Sequence, residues 1–361
     1  MKQSDKNRLI VAAAGSGKTQ HIIDSALANR NDKCLIVTYT TSNRNQLLNR
    51  IVKKIGFVPS NIHVLGWFDF LINQCSKPYQ AAVIGKVNHI RSLHLQGQDQ
   101  YAPKSQKLRF YFDRDRDMYG YRVAQFACEA NTYTDGQVLS RLEDMYDHIY
   151  VDEVQDLAGY DLDFLEILFS SSLSVTLVGD PRQCIYQTNN SARYSKYRFA
   201  KIMDYFDIQA SKARVSIDWM DTSWRCNQAI CNWSDSLFPA LKPTTSLNAK
   251  QTGHDGLFTI LREDIPKYID QFQPTLLRYD AKSDTLGIPA TNFGVSKGNT
   301  FDRVLVFPSS GMSAKLRADD MAGLTDILRG KLYVAVTRAR YSATLVVPSE
   351  IQGYPLWRPS S

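Results

Sequence analysis

Five groups of residues in this 361-residue chain could do chemistry together. The first is Ala12-Ala13-Ala14-Gly15-Ser16-Gly17-Lys18-Thr19. An apolar run, Leu9 to Ala14, is short and flat enough for a buried parallel strand. It breaks at Gly15, where backbone bends without a Cβ. A polar-faced stretch from Lys18 to Asn29 then reads as a helix. Strand, glycine turn and helix with Gly-Lys-Thr at the junction form a phosphate-gripping loop. Turn amides point inward and the helix N-terminus adds positive potential, so a polyphosphate is held by geometry. Lys18 would reach the β- and γ-phosphates and Thr19 would hold Mg²⁺. Ala12 stands where this pattern usually has its first glycine.

The second group is Asp152-Glu153, directly after the apolar run His148-Ile149-Tyr150-Val151. Carboxylates at the C-terminal tip of a parallel strand sit where such sheets bind ligands. Asp152 is placed to hold Mg²⁺ through water, and Glu153 to orient and deprotonate an attacking water. The third, Gly179-Asp180-Pro181-Arg182-Gln183, follows another apolar strand and gives Gln183 a view of a γ-phosphate. The last two, Trp224-Arg225 and Tyr333 to Arg340, lie far along the chain. Between them Gly298 frees the backbone of a polar loop, Val295 to Asp302.

The elements that must position these groups alternate. Cys34 to Tyr39 is a second buried strand, followed by a helix with Leu47, Leu48, Ile51, Val52 and Ile55 at helical spacing. Asn61 to Leu65 is a third strand. Strands alternating with helices imply a doubly wound parallel α/β sheet. From residue 77 to 145 the alternation is lost, which reads as a small, mainly helical insertion. There Lys86, Arg91, Lys104, Lys107, Arg109, Arg114, Arg116 and Arg122 interleave with Tyr101, Phe110, Tyr111, Phe112, Tyr119 and Tyr121. Such a pattern suits single-stranded nucleic acid, or equally a solvated face over an aromatic core. Val215 to Met220, Gly256 to Leu261, Thr275 to Tyr279, Arg303 to Phe307 and Ser342 to Val347 read as strands of a second domain. Leu324 to Arg340 reads as its helix.

The formal net charge of +7 suits a polyanionic partner. Six scattered cysteines form no Cys-x-x-Cys pair, so neither a zinc site nor a disulfide framework is indicated, and a reducing cytoplasm is expected. No run approaches the ~20 apolar residues of a membrane span. Lys2 to Ala14 has too short an apolar part for a signal peptide.

Taken together, the stretches resemble the superfamily 1 DNA helicases of the UvrD/Rep/PcrA type. Residues 12–19 look like the family's first motif and Val37-Thr38-Tyr39-Thr40 like its strand-contacting motif Ia. Asp152 to Asp156 and Gly179 to Gln183 look like motifs II and III. Trp224-Arg225 stands where motif IV has Tyr-Arg. Ser296 to Phe301 and Tyr333 to Arg340 look like motifs V and VI. The resemblance implies two RecA-like P-loop domains with ATP and Mg²⁺ in the cleft between them. Residues 1–76 with 146–208 would be the first, 77–145 its insertion, and 209–361 the second.

The same resemblance implies that Ala12 to Thr19, Asp152, Trp224 and Gly298 bind the nucleotide, with Trp224 stacked on adenine. It implies that Lys18, Glu153, Gln183, Arg225 and Arg338 catalyse hydrolysis, the two arginines neutralising charge on the γ-phosphate. Tyr39, Thr40, Trp67 and Ser296 would face single-stranded DNA, and Thr19 and Asp152 would serve the metal. The implied activity is ATP-driven translocation on single-stranded DNA and helicase action on a tailed duplex, in the 3′→5′ sense. Departures fall at five places, one being the absence of the family's Gly-Trp-Arg-Gly after Gln183-Cys184-Ile185-Tyr186. No adenine-reading Gln segment precedes the loop, Gln3 being poorly placed. Gly66-Trp67-Phe68-Asp69-Phe70 lacks the family's Thr and His. Gly294 replaces a His. Too few positions separate Arg225 from Lys297 to hold a 2B-type insertion. These departures motivate a second reading, a DNA-sensing ATPase subunit that gates a protein partner such as a nuclease or a replication or repair factor.

Overall fold

The computed structural model describes residues 6–28, 30–95, 102–189 and 191–359; Lys2, Gln3, Asn29 and Tyr101 lie outside the described residues. Contacts divide the chain into two compact units. One comprises Met1–Ile10, Thr19–Gly179 and Tyr186–Asp218; the other comprises Val11–Lys18, Asp180–Ile185 and Trp219–Ser361. The fold is α/β, with one large sheet of six strands and another of five.

The six-stranded sheet is built from β1 (Asn7–Ala12), β2 (Cys34–Thr38), β3 (Ile62–Gly66), β4 (His148–Asp152), β5 (Ser174–Gly179) and β6 (Ser216–Met220). Its spatial order is β3-β2-β4-β5-β1-β6. β2 pairs parallel with β3 and β4, and β4 pairs parallel with β5. Every residue of β2 is buried, as continuous apolar runs in parallel sheets are. The helices α1 (Lys18–Ala28) and α2 (Thr41–Ile55) follow β1 and β2; α1 buries Ile22, Ile23 and Ala26. The stretch from Val215, expected in the second domain, instead supplies β6 at the edge of this sheet, beside β1.

Residues 77–145 carry short helical turns, the helices α3 (Val123–Tyr133) and α4 (Gln137–Met145), and a two-stranded piece from Leu93–His94 and Met118–Tyr119. Phe110, Tyr111, Phe112 and Tyr119 are buried here. Tyr111 meets Phe110 and Phe126 edge-on at 4.9 Å. Arg91 pairs with Asp117 and Lys104 with Glu129. These aromatics therefore form a core, the second of the two readings open to the sequence.

The five-stranded sheet runs β7-β11-β10-β8-β9 in space, all parallel. Its strands are β7 (Gly256–Ile260), β8 (Thr275–Arg278), β9 (Thr291–Asn292), β10 (Phe301–Phe307) and β11 (Ala339–Val346). Ile260, Leu276, Leu305, Phe307 and Val346 pack with Ile265 and Tyr268 into one apolar cluster. The helix expected to run to Arg340 spans Asp326–Val336 only. Thr337 caps it, with both its amide and its hydroxyl donating to the Tyr333 carbonyl at 3.0 and 2.7 Å, and β11 begins two residues later. Arg338 therefore sits on a sharp helix-to-strand turn.

Candidate phosphate-loop site

The loop belongs by its contacts to the second unit. Ala12, Ala13 and Ala14 are buried, so the chain enters the turn from inside the protein. The Ala13 amide donates to the Met220 carbonyl at 2.8 Å, and the Ser16 amide closes a turn onto the Ala13 carbonyl at 3.1 Å. Gly15 and Gly17 both adopt positive φ, +78° and +87°. Only Gly15 is also crowded. A Cβ there would stand 2.5 Å from Arg225 Cβ and 2.8 Å from Ser223 Oγ, whereas one at Gly17 would meet open space. Ala12 is still a strand residue, which is why no glycine is required there. Lys18 begins α1, so the helix N-terminus faces the turn, and Lys18 and Thr19 are both half-buried.

The segment Thr222 to Arg225 is bonded along this loop. The Trp224 amide donates to the Gly15 carbonyl at 3.0 Å, and Ser223 Oγ donates to the Ala14 carbonyl at 2.8 Å. Trp224 is 68% exposed, leaving its indole open to stack on a base. Arg225 Nη1 donates to the Thr337 carbonyl at 3.2 Å.

Behind the loop lies a buried polar network. The Tyr333 hydroxyl accepts from the Ala14 amide at 3.3 Å and donates to Asp180 Oδ2 at 3.0 Å. Asp180 Oδ2 also accepts from Gln183 Nε2 at 2.8 Å, and Gln183 Oε1 accepts from Arg338 Nη2 at 3.2 Å. Arg338 is 1% exposed; its Nε donates to the Val334 carbonyl at 3.0 Å and its Nη1 to the Asn299 carbonyl at 3.3 Å. Arg182 is buried too, donating to the Lys242 carbonyl at 2.6 Å. Burial disfavours its charge, but Tyr333 and Asp180 more than offset this and hold it protonated. Burial, aided by the Asp180 charge, pushes the Tyr333 phenol well above its ordinary range, so it is a hydroxyl at any working pH. Sequence reasoning assigned no role to Tyr333, Asp180 or Ser223. The available signal was position, since Tyr333 opens the stretch ending at Arg340 and Asp180 precedes Pro181.

In the first unit, Asp152 ends β4 and is buried, and its Oδ1 accepts the Glu153 amide at 2.9 Å. Glu153 takes a left-handed conformation, φ +58°, and accepts a hydrogen bond from Gln155 Nε2. A Cβ at Gly179 would meet Gln155 Oε1 and stand 2.9 Å from Val154 Cγ1, so these side chains would have to shift to admit one.

The expected strand contacts divide. Tyr39 is half-buried, edge-on to Phe68 at 5.8 Å, and Thr40 is exposed as the N-cap of α2. Trp67 is only 1% exposed, packed against Phe70 and Phe164, with Nε1 donating to Asp161 at 2.8 Å. Burial raises the Asp161 carboxyl to about 6, held down in part by bonds from Thr188, Trp67, Ala158 and Asn189. Ser296 is fully buried and donates to the Phe293 carbonyl at 2.7 Å. The side chains of Trp67 and Ser296 are thus turned inward in this structure. Gly298 is exposed at φ +91°.

Among the described residues no three His, Cys, Asp or Glu side chains gather as a metal site. A carboxylate with a neighbouring hydroxyl and substrate phosphates is what Mg²⁺ takes in place of an all-protein cage, so Asp152 and Thr19 fit it by donor type. No helix among those residues is long and apolar enough to cross a membrane.

Comparison with curated proteins found no match. Among solved structures, the chain is similar in fold to the helicase of PRRSV, at 15% identity and a TM-score of 0.49, covering 96% of this chain and 53% of that one. It is similar to arterivirus nonstructural protein 10, a helicase, at 16% identity and a TM-score of 0.48, covering 97% and 62%. A structure of arterivirus nonstructural protein 10 with DNA matches at 15% and 0.49, covering 97% and 63%. The chain thus spans between about half and under two thirds of the length of these proteins. A family model, AAA_19, described as an AAA domain, matches residues 1–189, more than half of the chain and the part holding the glycine turn, Asp152, Glu153 and Gln183. The chain belongs to this AAA-domain family.

Proposed function

We propose that the protein is a nucleic-acid-stimulated ATPase of superfamily 1 that moves on single-stranded DNA and separates tailed duplexes. The observation that carries this reading is the bonded path from the Ala14 amide in the loop through Tyr333, Asp180 and Gln183 to Arg338. Residues predicted to touch a γ-phosphate are wired to the loop predicted to hold it.

In this reading the loop amides and Lys18 bind and orient the triphosphate, and Trp224 stacks on its base. Stacking is tolerant of base identity, so ATP preference over other triphosphates is weak. Glu153 takes the proton of the attacking water. Gln183, Arg225 and Arg338 meet the charge that develops on the γ-phosphoryl oxygens, a role worth roughly 10³–10⁵ in rate for arginine fingers. Mg²⁺, held by Thr19 and Asp152, would neutralise phosphate charge. The 3′→5′ sense follows from family likeness, and Tyr39 and Thr40 are the strand contacts.

The inward-turned Trp67 and Ser296 favour the second reading in one respect: two of four expected strand contacts are off the surface. A DNA-sensing ATPase gating a partner needs fewer of them. Unwinding of a 3′-tailed duplex by the isolated chain separates the two. Robust strand separation supports the motor; DNA-stimulated hydrolysis without it supports the sensor.

A further inference from the structure

We infer that Tyr333 is a positioning residue, a latch that tells Gln183 and Arg338 whether the phosphate loop is filled. The inference rests on the nucleotide-hydrolysis reading and gives that site its trigger.

A tyrosine hydroxyl has one proton to donate and can accept twice. Tyr333 uses all three capacities: it donates to Asp180 Oδ2 at 3.0 Å and accepts from the Ala14 amide at 3.3 Å and from Arg182 Nη1 at 3.4 Å. The residue is 1% exposed, so no bulk water replaces a partner that leaves. Ala14 immediately precedes Gly15, the crowded residue of the turn. Any adjustment of the turn around a phosphate is felt first at the Ala14 amide, and therefore at this hydroxyl.

The next link is a shared atom. Asp180 Oδ2 accepts from both Tyr333 and Gln183. While both donors are in place, the Gln183 side chain is fixed, with Nε2 toward Asp180 and Oε1 toward Arg338. Gln183 Oε1 and Arg338 Nη2 thus face each other. A shift of the Tyr333 hydroxyl strengthens or loosens the Asp180–Gln183 bond and so frees the Gln183 amide, and with it Arg338, to turn to a γ-phosphate. Chained hydrogen bonds inside a low-dielectric interior couple in this way.

The test compares affinities for ADP and for a non-hydrolysable ATP analogue, and kcat with KM, in the full chain. Tyr333→Phe keeps the ring and removes only the hydroxyl. The expected result is unchanged ADP affinity, with the preference for the triphosphate analogue and kcat each falling about tenfold, the effect of one buried hydrogen bond felt only with the γ-phosphate in place. Adding Gln183→Ala should then cost no more than Gln183→Ala alone, because both substitutions cut one path. Asp180→Asn, which alters the shared oxygen, should reproduce the pattern and serves if Tyr333→Phe does not fold. Wild-type preference and kcat in Tyr333→Phe, or effects that multiply in the double variant, overturn the latch. A general loss of packing would lower ADP affinity in step with the rest and equally overturns it. If wild type shows no hydrolysis, the enzymatic reading fails instead, while the ratio of analogue to ADP affinity still reads the latch.

Discussion

The Arg338 guanidinium and the Gln183 amide hold each other, Nη2 donating to Oε1 at 3.2 Å, and both side chains are nearly inaccessible to solvent. The same guanidinium donates to the Val334 and Asn299 carbonyls at 3.0 and 3.3 Å, which fixes its plane. Arg338→Lys keeps the charge but loses the planar fork. Hydrolysis should fall by roughly 10³-fold or more, with KM for nucleotide little changed. A variant that raises KM and leaves kcat intact would make Arg338 a ground-state binder only.

The two loop glycines separate backbone strain from crowding. Gly17→Ala should cost only left-handed strain, about 1–2 kcal/mol. Gly15→Ala adds overlap with Arg225 Cβ and Ser223 Oγ. It should lose more stability in urea titration and should abolish nucleotide binding. Equal costs at the two positions would mean that Ser223 and Arg225 do not pack on the turn.

Trp67 distinguishes a strand contact from a structural post. Its indole is the donor to buried Asp161. Trp67→Phe should therefore destabilise the fold by about 1–3 kcal/mol, because the buried Asp161 Oδ1 loses this donor. The affinity of the folded variant for single-stranded DNA should stay near wild type. A tenfold weaker binding with unchanged stability would restore the strand-contact role.

Much of this was legible from residue types, and the losses have physical causes. Apolar runs of fixed length located β1, β2, β4 and β5, because a strand buried on both faces leaves little freedom of composition. Gly15-Ser16-Gly17-Lys18-Thr19 was equally plain, since only glycine relieves the positive φ at the turn. The end of the helix at Val336 was not, because Thr337-Arg338-Ala339-Arg340 continues an acceptable helical composition. Only the pairing of β11 in the sheet overrides it. The burial of Trp67 was not legible for a similar reason: a tryptophan beside a strand end reads the same exposed or buried. The partner that draws it in, Asp161, lies 94 positions away. Tyr333 could not be singled out because its three bonds all reach residues distant in sequence.

Acid should weaken the second unit through His254. Its ring lies between Phe258 and Phe272, at 4.0 and 4.1 Å, and Nε2 shares a hydrogen bond with the Tyr268 hydroxyl at 2.9 Å. Burial, with Arg303 nearby, pushes this imidazole down to about 4. A histidine whose folded pKa lies below its unfolded value of 6.5 binds its proton first in the unfolded chain. Its contribution is present above about pH 6.5 and is lost as the pH falls toward 4. His148, lowered to about 4 by burial, acts in the same direction in the first unit, while Asp161, raised to about 6, acts against it. The urea midpoint should fall on acidification from pH 7 toward 4.5, and His254→Gln should flatten that fall. An unchanged slope would mean that His254 is not the responsible group.

The most direct measurement is the steady-state rate of ATP hydrolysis by the full chain with single-stranded DNA, with RNA and with no polymer, alongside Lys18→Ala and Glu153→Gln. A hydrolysing loop wired to Arg338 predicts a rate that rises with single-stranded DNA and disappears in both variants. A wild-type rate indifferent to any polymer, or one that survives the loss of Lys18, would contradict it.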